Sequence, residues 1–103
     1  MLRTPKQRKV ICRDCPVARV ADVVGDTVSL LILRDLLITT KRFSELETAL
    51  PGVSSRTLTL KLKKLEDDGL VTREAGTGYT VTAKGRALEE VMDAMRSYGK
   101  KYL

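Results

Sequence analysis

The segment from Ser54 to Gly69 constrains the fold more than any other, because it reads as one complete helix with a start, a buried face and a stop. Ser54 stands where an N-cap belongs, with a side-chain oxygen free to accept from the orphan amides of the first turn. Gly69 is placed to take the left-handed conformation that ends the helix. Leu58, Leu62 and Leu65, at spacings of four and three, stack on one face and point into a core. Opposite or flanking them are Arg56, Thr59, Leu60, Lys63 and, at the edge, Lys64. Cations on the wet face of a surface helix are ordinary. Here, however, Arg56, Lys61, Lys63 and Lys64 come before any acid, and Glu66, Asp67 and Asp68 follow together. Acids in the last turn oppose the helix dipole, so helix stability does not explain the segregation. Keeping acids away from an end that meets phosphate does, and a helix of this kind suits a DNA major groove.

The rest of the chain supplies a scaffold for that helix. Asp14 or Cys15 can cap a helix with Pro16 in its first turn, Val17, Val20, Ala21 and Val24 on one face, and a stop at Gly25. Asp26 or Thr27 caps a second helix over residues 28–37, apolar nearly all round and therefore central, with Arg34 and Asp35 as its polar minority. Ser44 and Glu47 have capping-box spacing, which predicts a short helix from there to about Leu50, ended by Pro51 and Gly52. That helix, the turn and the basic helix form a helix-turn-helix. Residues 70–73 and 79–82 are short strands on either side of a turn at Gly76, Thr77 and Gly78, a hairpin that serves as a wing. A last helix over residues 83–98 carries Leu88, Val91, Met92 and Met95 on one stripe and closes at Gly99 before Lys100 and Lys101. The predicted fold is mainly α with a small β-hairpin wing, a winged helix-turn-helix over residues 14–103. Residues 1–13, with Arg3, Lys6, Arg8, Lys9 and Arg13 and no acid, read as a mobile basic arm.

Composition narrows the function. A chain of 103 residues with 43% hydrophobic content makes one small domain, and its formal net charge of +6 fits a polyanion partner. The absence of histidine removes the commonest general base and the commonest metal ligand together, which argues against an enzyme. No apolar run reaches membrane-spanning length, and the cationic N-terminus lacks an apolar signal-peptide core, so no membrane partner and a cytoplasmic location are expected. No cofactor is expected.

These blocks, in this order, resemble the HxlR-type winged helix-turn-helix transcriptional regulators, relatives of the MarR group. The resemblance spans about residues 12–98. It rests on the Cys15, Pro16, Val17 entry, the central helix over residues 30–37 and the segments at 42–46 and 49–54. Leu58 and Thr59, then residues 65–71 and 79–85, complete it. It implies a DNA-binding dimer in which Arg56, Thr59, Lys61 and Lys63 touch DNA, Arg and Lys at phosphate or guanine and Thr at a base edge or thymine methyl. Ser54 and Ser55, at the helix N-terminus, are placed to present a hydroxyl and free amides to a phosphate oxygen. Three features depart from the family pattern: Leu60 where a polar residue is usual, a short wing segment between Arg73 and Tyr79, and no Trp at the start of the second helix.

Cys12 and Cys15 form a C-x-x-C pair. With no further Cys and no His, one chain cannot complete a tetrahedral zinc site; an all-cysteine site needs two subunits. In the family the Cys preceding Pro can act as a redox or electrophile sensor, and Cys15 matches that position. The neighbouring Arg13 and Arg19 make the positive setting in which reactive thiols occur, while Asp14 opposes them. Inert thiols, a redox pair and a shared metal site all stand. For dimerisation, the first helix offers Val20, Val23 and Val24 and the last offers Met92, Met95 and Tyr98, each equally suited to intrachain core. Two functions follow: a sequence-specific regulator binding double-stranded DNA as a homodimer, or a winged-helix module that binds protein within a larger assembly. Low aromatic content argues against single-stranded RNA.

Overall fold

The computed structural model describes residues 15–103. The expected basic arm and Cys12 lie outside the described residues. Helix α1 (Pro16–Val24) starts at Cys15, whose Sγ accepts from the Ala18 N–H at 3.3 Å, and Pro16 fills the first turn without losing a bond. Helix α2 (Thr27–Ile38) is capped by Asp26, whose carboxylate accepts from the Ser29 N–H at 3.0 Å and the Ser29 hydroxyl at 2.8 Å. As its near-continuous apolar sequence requires, α2 runs through the core, burying Ile32, Leu33, Leu36 and Leu37.

Helix α3 (Phe43–Ala49) starts earlier than its sequence suggests. The reach back to the N-cap is made by Glu45, which accepts from the Arg42 N–H at 2.8 Å; the expected pair, Ser44 and Glu47, both lie inside the helix. The helix begins two residues sooner, at Phe43, which packs partly against the core. Gly52, at φ +89°, makes the turn into α4 (Ser55–Asp67). There Ser54 accepts from the Thr57 N–H at 3.1 Å, as its position predicts. The far end is a full left-handed stop: Gly69 lies at φ +78°, its N–H bonds Glu66 O, and the Leu70 N–H bonds Leu65 O, both at 3.0 Å.

Strands β1 (Val71–Glu74) and β2 (Gly78–Val81) pair antiparallel, Val71 opposite Val81 and Glu74 opposite Gly78, each within one residue of its predicted span. Gly78 therefore opens β2 rather than closing the turn, which is made by residues 75–77 with Gly76 at φ +81°. Lys41 adds a rung outside the hairpin, exchanging backbone bonds with Tyr79 at 3.1 and 2.7 Å, and so ties the wing to the α2–α3 connection.

The single helix predicted over residues 83–98 is two: α5 (Ala83–Arg86) and α6 (Glu89–Tyr102). Gly85 sits so close to Leu70 O that a Cβ there would lie 2.1 Å away. The Leu88 N–H bonds back only to Gly85 O, a tightened turn that separates the helices. Gly99 does not stop α6, since one glycine costs only about 1 kcal/mol in a helix and Lys100 and Lys101 complement the dipole of the last turn. The core joins α1, α2, α3, α4, the hairpin and α6 through one cluster that includes Val24, Leu58, Leu62, Leu65, Tyr79 and Met92.

Candidate nucleic-acid interface

Leu58, Leu62 and Leu65 are buried in the core, which orients α4 completely: the opposite face is solvent-exposed. On it lie Arg56, Thr59, Leu60 and Lys63. The Thr59 hydroxyl donates to Ser55 O at 2.8 Å, which leaves its methyl and an oxygen lone pair outward. Leu60 is 54% exposed and lies outside the core cluster of the described residues. Lys63 makes only a loose surface pair with Asp67 at 3.8 Å, with three quarters of its side chain in water. The Ser54 hydroxyl is engaged with Thr57, donating to Thr57 Oγ1 at 3.0 Å, and the Ser55 hydroxyl donates to the Glu47 carboxylate of α3. Both serines are exposed, but their hydroxyls are occupied as caps and inter-helix contacts.

The other two lysines turn inward. Lys64 Nζ lies 2.8 Å from Asp68 Oδ2 and 3.5 Å from Val23 O, with only 12% of its side chain exposed. Lys61 Nζ lies 3.4 Å from Asp26 Oδ2 at the start of α2. The basic segment thus divides into two cations facing out and two facing the α1–α2 corner, a division the helical wheel does not show because Asp26 and Val23 come from other elements.

At the wing, Arg42 donates from Nη2 to Gly76 O at 2.9 Å, and Arg73 stacks its guanidinium 5.6 Å above the Tyr79 ring. Arg42, Phe43, Arg73, Glu74 and Gly78 line a shallow cleft there. These two arginines, absent from the sequence-based site, flank the hairpin beside α3; their signal would have been two basic residues adjoining the predicted wing and the helix-turn-helix entry. Thr77, at the wing turn, bonds through its N–H to Glu74 O.

Cys15 is exposed and free. Among the described residues no group of three His, Cys, Asp or Glu side chains is set to hold a metal ion, and no helix is long and apolar enough to cross a membrane. Two of the residues offered for a dimer surface are core instead: Val24 and Met92 are buried within the chain, because α1 and α6 each turn one side onto the cluster around α2. Val23 is partly buried against the same cluster. Val20, Met95 and Tyr98 are exposed, and with Val17 and Val91 they border open apolar grooves between α1 and α6 and along α6.

A family model described as HxlR-like helix-turn-helix matches residues 23–103. The chain is 37% identical over 95 residues to the HTH-type transcriptional regulator sll1512 of Synechocystis sp., covering 86% of this chain and 70% of that protein. Among solved structures, the redox regulator HypR in its reduced form superposes with a TM-score of 0.77 at 33% identity, covering 82% of this chain and 90% of HypR. The quinone-bound YodB of B. subtilis superposes with a TM-score of 0.79 at 31% identity, covering 85% of this chain and all of YodB.

Proposed function

The chain belongs to the HxlR-like helix-turn-helix family of transcriptional regulators, and from that premise we propose that it binds double-stranded DNA sequence-specifically as a homodimer, with α4 in the major groove. The observation that carries this reading is the outer face of α4, where Arg56, Thr59, Leu60 and Lys63 are exposed directly opposite three fully buried leucines. Arg56 is assigned to a guanine edge or a phosphate, Thr59 and Leu60 to base edges and thymine methyls, and Lys63 to phosphate. The amides at the start of α4, beside Ser54 and Ser55, complete a phosphate contact. Gly76, Thr77 and Gly78 place the wing, with Arg42 and Arg73, against the flanking backbone.

Titration of duplex selected from a random pool against bulk DNA, over a series of salt concentrations, tests the reading. The selected duplex should bind more tightly, with affinity falling by about 0.9 in log-log slope per phosphate contact. Lys63→Ala should reduce that slope by about one contact. Arg56→Ala should cost roughly 1 to 3 kcal/mol and relax choice at one base pair if it reads guanine. Equal affinity for selected and bulk DNA would leave the protein-binding module as the better description.

Cys15 is proposed as a redox sensor, a reading supported by its exposure at the N-terminus of α1 and by the chain's likeness to HypR, a redox regulator, and to YodB, solved with a quinone bound. Diamide would take two electrons and two protons from two thiols, Cys15 with Cys12 or with the second subunit's thiol, and leave one S–S bond and a hydrazine. DNA affinity should change on treatment and recover with reductant. Cys15→Ser, which keeps an N-cap acceptor, should be blind to it. Oxidised protein that binds unchanged would return the pair to ordinary thiols, and stoichiometric zinc in freshly purified dimer would indicate the shared metal site.

A further inference from the structure

Lys61, Lys64 and Asp68 lie at i, i+3 and i+7 along α4, on a stripe that borders the buried leucines and faces the α1–α2 corner. Each lysine reaches a group of that corner. Lys61 meets the Asp26 carboxylate that caps α2, and Lys64, held by Asp68, meets the last turn of α1 at Val23 O. Three features distinguish these contacts from incidental surface pairs. The Lys64–Asp68 pair is nearly out of water, at 12% and 7% exposure, where salt and solvent screen it far less than a surface pair. Asp26 serves two elements at once, since the oxygen that takes the Ser29 hydroxyl also faces Lys61. The outward cations, Arg56 and Lys63, are exposed on the same helix, whereas Lys61 and Lys64 are partly buried.

We propose that Lys61 and Lys64 are positioning residues rather than DNA contacts: they clasp α4 to the α1–α2 corner, fix how far its outer face projects, and form the link through which a movement of α1 reaches the groove. This rests on the DNA-binding reading above. α1 begins at Cys15 and ends at the Val23–Asp26 corner, so a change at its start is carried along one rigid nine-residue helix to the clasp. A lysine free to contact phosphate and a lysine spent on a clasp differ in what happens when the anchor is removed. Asn caps a helix about as well as Asp, so Asp26→Asn removes the negative charge while keeping the cap. If Lys61 were a phosphate contact, releasing it from Asp26 would leave DNA affinity unchanged or improve it. If it is a clasp, releasing it loosens α4.

The experiment measures the affinity of wild type, Lys61→Gln, Asp26→Asn and the double variant for a duplex selected by the wild type, across a salt series, well below each variant's melting point. Both single variants should weaken binding roughly three- to tenfold with the salt slope unchanged, and the double should be no weaker than either single. Lys64→Gln, where it folds, should behave likewise. Three results would overturn the proposal: a slope reduced by about one contact in Lys61→Gln, unchanged or tighter binding by Asp26→Asn, or earlier melting with normal affinity in both singles. A wild type that shows no preference for selected duplex overturns the DNA-binding reading itself and this inference with it. Retained selectivity with the wrong Lys61 behaviour overturns only the inference.

Discussion

Gly78 shows what a single residue decides here. Its φ is +105°, a region L side chains avoid, and a Cβ would lie 2.4 Å from Lys41 O, inside the rung that ties the wing to the rest of the fold. Gly78→Ala should therefore lower stability by about 2 to 3 kcal/mol, read as a shifted urea midpoint, whereas Gly99→Ala, which meets open space in a helix, should be neutral or stabilising. Unchanged stability in Gly78→Ala would mean that the Lys41 rung gives way easily. Residues whose partners lie a few positions away were legible from sequence: Ser54 and Gly69 bracket α4 as their types require, and Cys15 was one of two caps named for α1. Gly78 was legible only as a turn residue, because what makes it indispensable is the approach of a backbone far upstream. Lys61 and Lys64 escaped for the same reason, since periodicity gives a side chain's direction from its own axis and says nothing of Asp26 or Val23 waiting there.

Among the elements, the α1–α2 corner carries the clearest electrostatic signature. Burial pushes the Asp26 carboxyl up, but the Ser29 amide and hydroxyl and the Lys61 ammonium outweigh it, so the group lies below the ordinary carboxylate value. A carboxyl depressed on folding adds stability above its unfolded pKa, about 3.9, and that stability is lost as pH falls through the lower folded value. Asp26→Ala should accordingly cost about 1 kcal/mol at neutral pH, and its deficit against wild type should shrink as pH drops below about 4. Urea midpoints at pH 7 and pH 3 measure this, and a deficit that persists undiminished at pH 3 would assign the cost to packing. Element type and order were readable, as was the face of α4, because core-facing leucines repeat at helical spacing. The boundary between α5 and α6 was not: it depends on Gly85 fitting against Leu70 O, a contact between segments with no shared periodicity.

At the scale of the whole molecule, α1 and α6 carry apolar surface that the described residues leave uncovered. Val17 is 78% exposed, and Val20, Val91 and Met95 line the groove between the two helices, with Tyr98 and Leu103 continuing it along α6. A stable homodimer buries on the order of 800 Å² per partner, and a contiguous two-helix face of this kind is the type of surface that can supply it. Two-fold pairing there would present two α4 helices to successive major grooves, which is how a short recognition helix gains a long enough site. The division of residues into surface and core sharpens the test. Met95→Glu and Val20→Glu place charge on the exposed face and should convert a dimer to a monomer by sedimentation, with loss of tight operator binding and little change in the monomer's own folding. Met92→Ala acts on the buried side of the same helix and should instead lower stability by about 2 to 5 kcal/mol while leaving the residual folded protein dimeric. A wild type that sediments as a monomer at micromolar concentration, or a Met95→Glu variant that stays dimeric, would move the interface elsewhere and leave the α1–α6 groove without the second copy assigned to it.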